Sequence, residues 1–372
     1  MGKAHANAWM KVGRFFDLRF QPELQSAVGR NTRETRDFAS RWGFSESSTD
    51  WREAVRSDQV DLVDVCTPND SHAAISIAAL RGGKHVACEK PLAGTLADAR
   101  KMRDAARVAR RKGVHSFVWF SYRGCPALAL AHRMVRSGAL GRIYHVRANY
   151  LQDWGGPNTP LVWRFQKRLA GSGAHGDLNA HLIDAARFVT GQEMTEVCGA
   201  AEETFIRHRA LPGRSRGGKR GKVTVDDAVL FLARMSGGAV ASFEATRLAT
   251  GNQNANRIEV NGDLGSIRWD FEEMNVLWHF DAKEKPGRAG WRRIMCTDPS
   301  HPFVRAWWPA AHLLGYEHGF VNLAACMMDT IAGRKPEVPV PDFEDAYQTQ
   351  RVLEAAIRSA RLGRSVRMNE VK

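Results

Sequence analysis

The chain has 372 residues, of which 44% are hydrophobic, 25% charged and 9% aromatic. That composition fits about two globular domains and excludes collagen-like, disordered and small disulfide-stapled classes. The formal net charge is +14, yet no aromatic RNA-binding pair, zinc spacing or basic zipper accompanies it, so it reads as solvated surface rather than specific nucleic-acid recognition.

The basic residues recur on helix faces, Arg100–Arg111 and Arg351–Arg364, and in one Gly-rich polar segment, Arg207–Lys222. No run of about 18 uncharged apolar residues is present, and Met1–Phe20 lacks a secretory pattern. Six cysteines lie far apart with no CxxC pair, which predicts free, mostly buried thiols in a reducing cytoplasm and no membrane anchor.

From the N-terminus, short apolar runs alternate with longer amphipathic stretches. Strands are expected at Leu24–Val28, Val60–Cys66, His85–Cys88 and Val114–Trp119. The intervening helices are Asn31–Trp42, Asp70–Arg81 and Thr95–Arg111, each closed by glycine. This is the βα pattern of a doubly wound parallel sheet. After Ser121 a helix is expected at Pro126–Arg136. Alternating segments follow at Ile143–Gln152, Ala228–Arg234, Ala239–Arg247, Asn256–Val260 and Ser266–Trp269, with turn signals between several of them. They predict a large, mostly antiparallel open sheet. Helices Gly176–Val189, His318–Ile331 and Phe343–Leu362 complete an α/β chain divided into residues 1–120 and an α+β domain over 121–372.

Three segments carry chemistry. The second expected strand runs into Thr67-Pro68-Asn69-Asp70-Ser71-His72, at the carboxyl edge where ligands of open α/β sheets lie. Its side chains and the following helix N-terminus can donate to phosphate or ribose oxygens; a plain turn and helix cap is the alternative. The third strand ends in Glu89-Lys90-Pro91. Lys90 can stabilise a developing alkoxide or polarise a carbonyl, and Pro91 can fix its direction, a cis bond being one way; a surface ion pair is the alternative. The glycine-rich stretch Ala170–Asp184 enters a helix on which Asp177 and His181, four apart, share a face, with Asp184 within a turn. A histidine suits proton acceptance in alcohol oxidation at neutral pH; the alternative is a helix-dipole carboxylate beside an incidental histidine.

TPNDSH, GGKHVACEKPLAGT, SYRGCPAL and GSGAHGDLNAHLIDAARFVTG, in this order and spacing, resemble the glucose-fructose oxidoreductase / inositol 2-dehydrogenase / MocA family of nicotinamide-dependent oxidoreductases. The likeness continues through Gly315-Tyr316-Glu317-His318 and PDFEDAYQTQRVLEAAIRSAR, so it covers nearly the whole chain. The resemblance implies a Rossmann-type NAD(P)-binding domain and a second domain whose sheet serves homo-oligomerisation as dimer or tetramer. It implies Lys90 between nicotinamide and substrate, His181 as proton acceptor or donor, and Asp177 as its partner. Tyr122, Arg123, Trp163 and Arg164 would line the substrate pocket, and Gly2, Arg30, Thr67, Pro68, Asn69, His72, Glu89, Lys90 and Pro91 the cofactor side.

The chain departs from the family at its start. Met1-Gly2-Lys3-Ala4-His5 looks like the third glycine of GxGxxG and its helix, without the first strand and two glycines. Unpaired backbone is then expected beside the missing strand, and Met1 is expected to be an internal methionine of a longer product. Where an acidic residue would read the ribose of NAD, the chain has Gly29-Arg30-Asn31. Arg30 can pair with a 2′-phosphate or stack on adenine, which leans toward NADP with NAD open. The expected reaction is hydride transfer at a secondary hydroxyl of a sugar, cyclitol or glycoside, with no metal, since no HxxxH or HExxH set occurs. The alternatives are a non-catalytic dinucleotide-binding protein and a glycosidase-like enzyme using transient sugar oxidation.

Overall fold

Helix starts in the first third are set by side-chain caps. Asn31 accepts from the Glu34 amide and Thr95 from the Asp98 amide, satisfying donors that a helix end leaves unpaired. The structure is a computed structural model describing residues 1–213 and 219–372. Its N-terminal part runs α1 (Gly2–Phe15), β1 (Ser26–Val28), α2 (Thr32–Trp42), β2 (Glu46–Ser48), α3 (Trp51–Arg56), β3 (Leu62–Val65), α4 (His72–Arg81), β4 (His85–Cys88), α5 (Leu96–Arg110) and β5 (Ser116–Val118). The expected βα alternation is present, with shorter strands; β2 and α3 had no clear sequence pattern. Strands β3, β4 and β5 form one parallel sheet, while β1 and β2 pair separately. Among the described residues no strand bridges the two pieces.

The chain continues through α6 (Pro126–Arg136), β6 (Ile143–Leu151), α7 (Lys167–Ala170), α8 (Ala180–Thr190), β7 (Met194–Glu203), β8 (His208–Ala210), β9 (Arg220–Lys222), β10 (Ala228–Met235), β11 (Val240–Thr246), β12 (Ala255–Gly262), β13 (Gly265–Asp270), β14 (Val276–Asp281), β15 (Trp291–Met295), α9 (Tyr316–Ile331), α10 (Phe343–Leu362) and β16 (Val366–Arg367). A nine-stranded sheet has the order β15-β14-β13-β12-β6-β11-β10-β7-β16. Every pair is antiparallel except β11 with β6. Its inner face buries Val146, Ala148, Phe231, Phe243, Ile258, Val260 and Ile267 in one core with Leu182, Ile183 and Ala186 of α8. Burying such a side chain contributes about 1.5–3 kcal/mol. The period-2 strands were legible; β7, rich in Ala and Glu, and β14 and β15 were not.

Two features position the site. The helix expected from Gly176 opens instead with a wide π turn over His175–Asn179 and becomes α-helical only at Ala180. The C-terminal helices also return to the N-terminal part. Phe320, Leu323, Ala324 and Met327 of α9 share a core with Trp9 and Val12 of α1, and the Val118 amide donates to Pro341 O at 2.8 Å.

The basic segment Arg207–Lys222 contains the β8–β9 hairpin; its residues 214–218 lie outside the described residues. All six cysteines are free, and four are buried. Among the described residues, no helix is long and apolar enough to cross a membrane.

Candidate active site

Close backbone contact brings the Lys90 strand end against the glycine loop. Gly171 has φ +78°, and a Cβ there would lie 2.3 Å from Gly94 O, so both position and conformation demand glycine. At Gly173 a Cβ would meet Asp226 O. The Asp226 carboxylate then accepts from the Gly173 and His175 amides at 2.7 and 2.8 Å. The Lys90–Pro91 peptide is cis.

Lys90 and Asp177 meet at the floor of a cavity of about 670 Å³. Lys90 Nζ donates to Asp177 Oδ1 at 2.7 Å and to Asp177 O at 2.8 Å. Asp177 Oδ2 accepts from Arg247 Nη2 at 2.9 Å. Burial would raise the Asp177 carboxyl, but Lys90 and Arg247 outweigh it and hold it well below the usual carboxylate range. His181 is buried. Burial, then the charge of Lys90, pushes its imidazole well below its ordinary value, so the ring is neutral at pH 7. Its Nδ1 has no partner among the described residues.

The far wall is a hydrogen-bonded relay. Tyr122 and Tyr150 hydroxyls lie 2.6 Å apart, and Tyr150 donates to Asn254 Oδ1 at 2.7 Å. Gln152 Nε2 donates to the same oxygen, and Trp154 Nε1 to Gln152 Oε1, each at 2.7 Å. The Tyr122 ring lies 4.6 Å from that of His181. Trp163 and Arg164 also line the cavity, with the guanidinium 4.5 Å from the indole centroid.

The same cavity is lined by Arg30, after β1, by Thr67, Pro68 and Asn69, after β3, and by Glu89, Lys90 and Pro91, after β4. Thus Lys90, Asp177, His181, Tyr122, Trp163, Arg164 and this group share one cavity.

Five expectations are corrected. Arg123 does not face the cavity: it is 3% exposed and bonds Asp184 and Asp345, because a buried guanidinium requires carboxylate partners. Asp184 belongs to that same pair. His72 is buried between the carbonyls of Thr67 and Pro91, at 3.0 and 3.1 Å, and braces the two loops rather than meeting a ligand. Met1, and not Gly2, reaches the cavity wall. Asp177 does not bond His181, since both its oxygens are taken by Lys90 and Arg247.

Asn69 faces the cavity but spends its amide on Ala170 O at 2.9 Å. The residues that sequence reasoning missed are Tyr150, Gln152, Trp154, Arg247 and Asn254. Tyr150 in β6 and Gln152 just beyond it share one parity of the expected strand, a period-2 signal that could have marked them; Trp154 in the turn that follows, and Arg247 and Asn254, which follow β11 and precede β12, carry no local signal.

A cavity at the carboxyl ends of parallel strands, lined by Arg30 and holding a lysine and a neutral histidine, suits a dinucleotide and a hydroxyl substrate. That chemistry defines a nicotinamide-dependent oxidoreductase acting on CH–OH groups. A model described as "Oxidoreductase family, NAD-binding Rossmann fold" matches residues 1–118, and one for the "GFO/IDH/MocA C-terminal domain" matches residues 128–268. Levoglucosan dehydrogenase of Pseudarthrobacter phenanthrenivorans is 38% identical over 97% of this chain and 93% of its own. An oxidoreductase domain protein from Kribbella flavida is 50% identical with TM-score 0.94, covering 99% of this chain and 96% of that one. Levoglucosan dehydrogenase in complex with NADH and levoglucosan superposes with TM-score 0.92 at 38% identity, over 99% and 96% of the two chains. The chain belongs to the Gfo/Idh/MocA family of NAD-binding oxidoreductases.

Proposed function

We propose that the protein oxidises a secondary hydroxyl of a sugar, with levoglucosan and related anhydro sugars as first candidates. The observation that carries this reading is Lys90 Nζ fixed 2.7 Å from Asp177 in the cavity that holds neutral His181. Bound nicotinamide would supply the hydride acceptor, held by Arg30, Thr67 and the loop after Lys90. His181 takes the hydroxyl proton as the carbon loses its hydride. Lys90 donates to the substrate oxygen while charge develops on it, aimed by Asp177. Trp154, Trp163 and Tyr122 offer apolar faces to sugar C–H groups, and Gln152 and Asn254 offer amides to its hydroxyls.

Purified protein should reduce NAD with levoglucosan. Binding of NADH with no turnover of any anhydro sugar, pyranose or cyclitol would overturn the substrate reading. Arg30, exposed where no carboxylate stands, supports acceptance of a 2′-phosphate, hence NADP beside NAD. Arg30→Ala should weaken NADPH more than NADH, and equal losses would remove it from phosphate reading. The outer sheet face exposes Leu230, Leu232 and Val240, which supports homo-oligomerisation through that sheet. Six free thiols suit a reducing compartment, and we place the enzyme in the cytoplasm.

A further inference from the structure

Behind Lys90 lies a buried cluster that the chemistry above does not use. His5, on α1, is 2% exposed, and both its ring nitrogens face carboxylates. Nδ1 lies 3.0 Å from Asp64 Oδ2, and Nε2 lies 2.9 Å from Glu89 Oε1. Asp64, on β3, also accepts from the indole N–H groups of Trp9 at 2.7 Å and Trp119 at 2.9 Å. Glu89, beyond β4, accepts the Lys90 amide at Oε2, 3.1 Å away.

An ionised carboxylate only accepts. Two ionised carboxylates on opposite sides of one ring therefore need an N–H from each nitrogen, and only the imidazolium has both. The faces of the ring are closed by Trp119, at 4.5 Å between centroids, and by Phe320 of α9, at 5.6 Å. Asp64 and Glu89 are the charged groups that face it among the described residues. The nearby Cys66 thiol is pushed up to about 12 by burial and then by the same carboxylates, so it stays neutral.

We infer that His5 is a positioning residue of this site: as an imidazolium clamped between Asp64 and Glu89, it fixes the carboxylate that holds the Lys90 amide, and so the presentation of Lys90. The inference rests on the reading of Lys90 given above. Glu89 also lines the cavity, so its charge would bear on a dinucleotide held there. Burial alone would favour a neutral His5, but the carboxylates outweigh it and raise its pKa to about 9. Without that cation, Asp64 and Glu89 would be left as adjacent like charges with no counter-charge between them.

Two measurements on the full chain test this. NMR of the side-chain nitrogens of the cofactor-free protein near pH 7 should show His5 with both nitrogens protonated; a neutral ring with one bare nitrogen would overturn the clamp. In a cycle of His5→Gln and Glu89→Gln, the first change should lower kcat about 10- to 100-fold with little change in KM. It should also make NADH binding vary between pH 5 and 8, where the parent is flat. The double variant should lose that pH dependence and be no worse than Glu89→Gln alone. Additive losses, or a His5→Gln pH profile parallel to the parent's, would reduce His5 to fold support. Should His5→Gln fail to fold, the parent's NMR spectrum decides. NMR and NADH binding need no substrate, so an absence of sugar oxidation by the parent would sink the functional reading and leave the clamp standing.

Discussion

Lys90, Asp177 and Arg247 form a chain of alternating charge in which the carboxylate gives one oxygen to each cation. Arg247 is 1% exposed and also lies 5.0 Å from the Trp154 ring centroid, so it is held rigidly. By sharing Asp177, it keeps the carboxylate ionised and leaves Lys90 aimed along one oxygen. Lys90→Met should lower kcat by about 10²–10⁴ with the fold intact, measured by steady-state kinetics beside thermal unfolding; near-normal turnover would remove the lysine from the reaction. Arg247→Gln removes one of the three cations, Lys90, Arg247 and Arg164, that depress the Asp177 carboxyl. Its pKa then rises, and the acid limb of kcat/KM should move to higher pH. An acid limb unchanged in that variant would show that Arg247 does not tune Asp177. Lys90 and His181 could be picked out in the sequence because each stands beside a local marker, a strand end or a glycine-rich helix start. Arg247 could not, because its partner lies 70 positions away in the chain.

The loop Ala170–Ala174 and the π turn that follows bring these side chains together. Gly171 is where the two active-site segments touch backbone to backbone, and no side chain fits between them. Gly171→Ala combines a positive φ with a clash against Gly94. It should cost more than about 1 kcal/mol of stability and lower kcat with it, read by denaturant unfolding and kinetics. An unaltered unfolding midpoint would mean that the loops separate without cost. The glycines marked this loop in the sequence, but a regular helix from Gly176 was the wrong geometry. An i,i+4 pair on such a helix would have placed Asp177 against His181. The wider π turn, together with the pull of Lys90 and Arg247, sends the carboxylate elsewhere. Strands with clean alternation were readable to within a residue or two. β7 was not, because its Ala- and Glu-rich sequence is fixed by pairing with β10 and β16 rather than by its own pattern.

The two halves of the chain are tied by α9 and α10, which return from the C-terminal end to cover α1 and the edge of β5, and His5 lies where α1, β3 and β4 meet. Because its pKa is raised from 6.5 to about 9, the folded state holds this proton more tightly than the unfolded chain. That contribution is complete below about pH 6.5 and is lost as pH rises through about 9. Thermal stability should therefore fall across that interval in the parent and stay flatter in His5→Gln; parallel curves would contradict it. On the outer sheet face, proposed above as the contact between copies of the chain, Leu232→Glu should lower the mass seen in sedimentation toward that of a monomer, whereas an unchanged mass would exclude that face as the interface. This outward face was readable as alternation; what covers such a face is not encoded in the strand's own period. The proposed reaction itself is tested most directly by supplying levoglucosan labelled with deuterium at each secondary carbinol carbon in turn, with NAD and the purified chain. One label should slow turnover and appear in the reduced cofactor, and Lys90→Met and His181→Ala should both suppress that transfer. Turnover with no deuterium reaching the cofactor, or transfer undiminished in both variants, would contradict hydride transfer at the Lys90–His181 site.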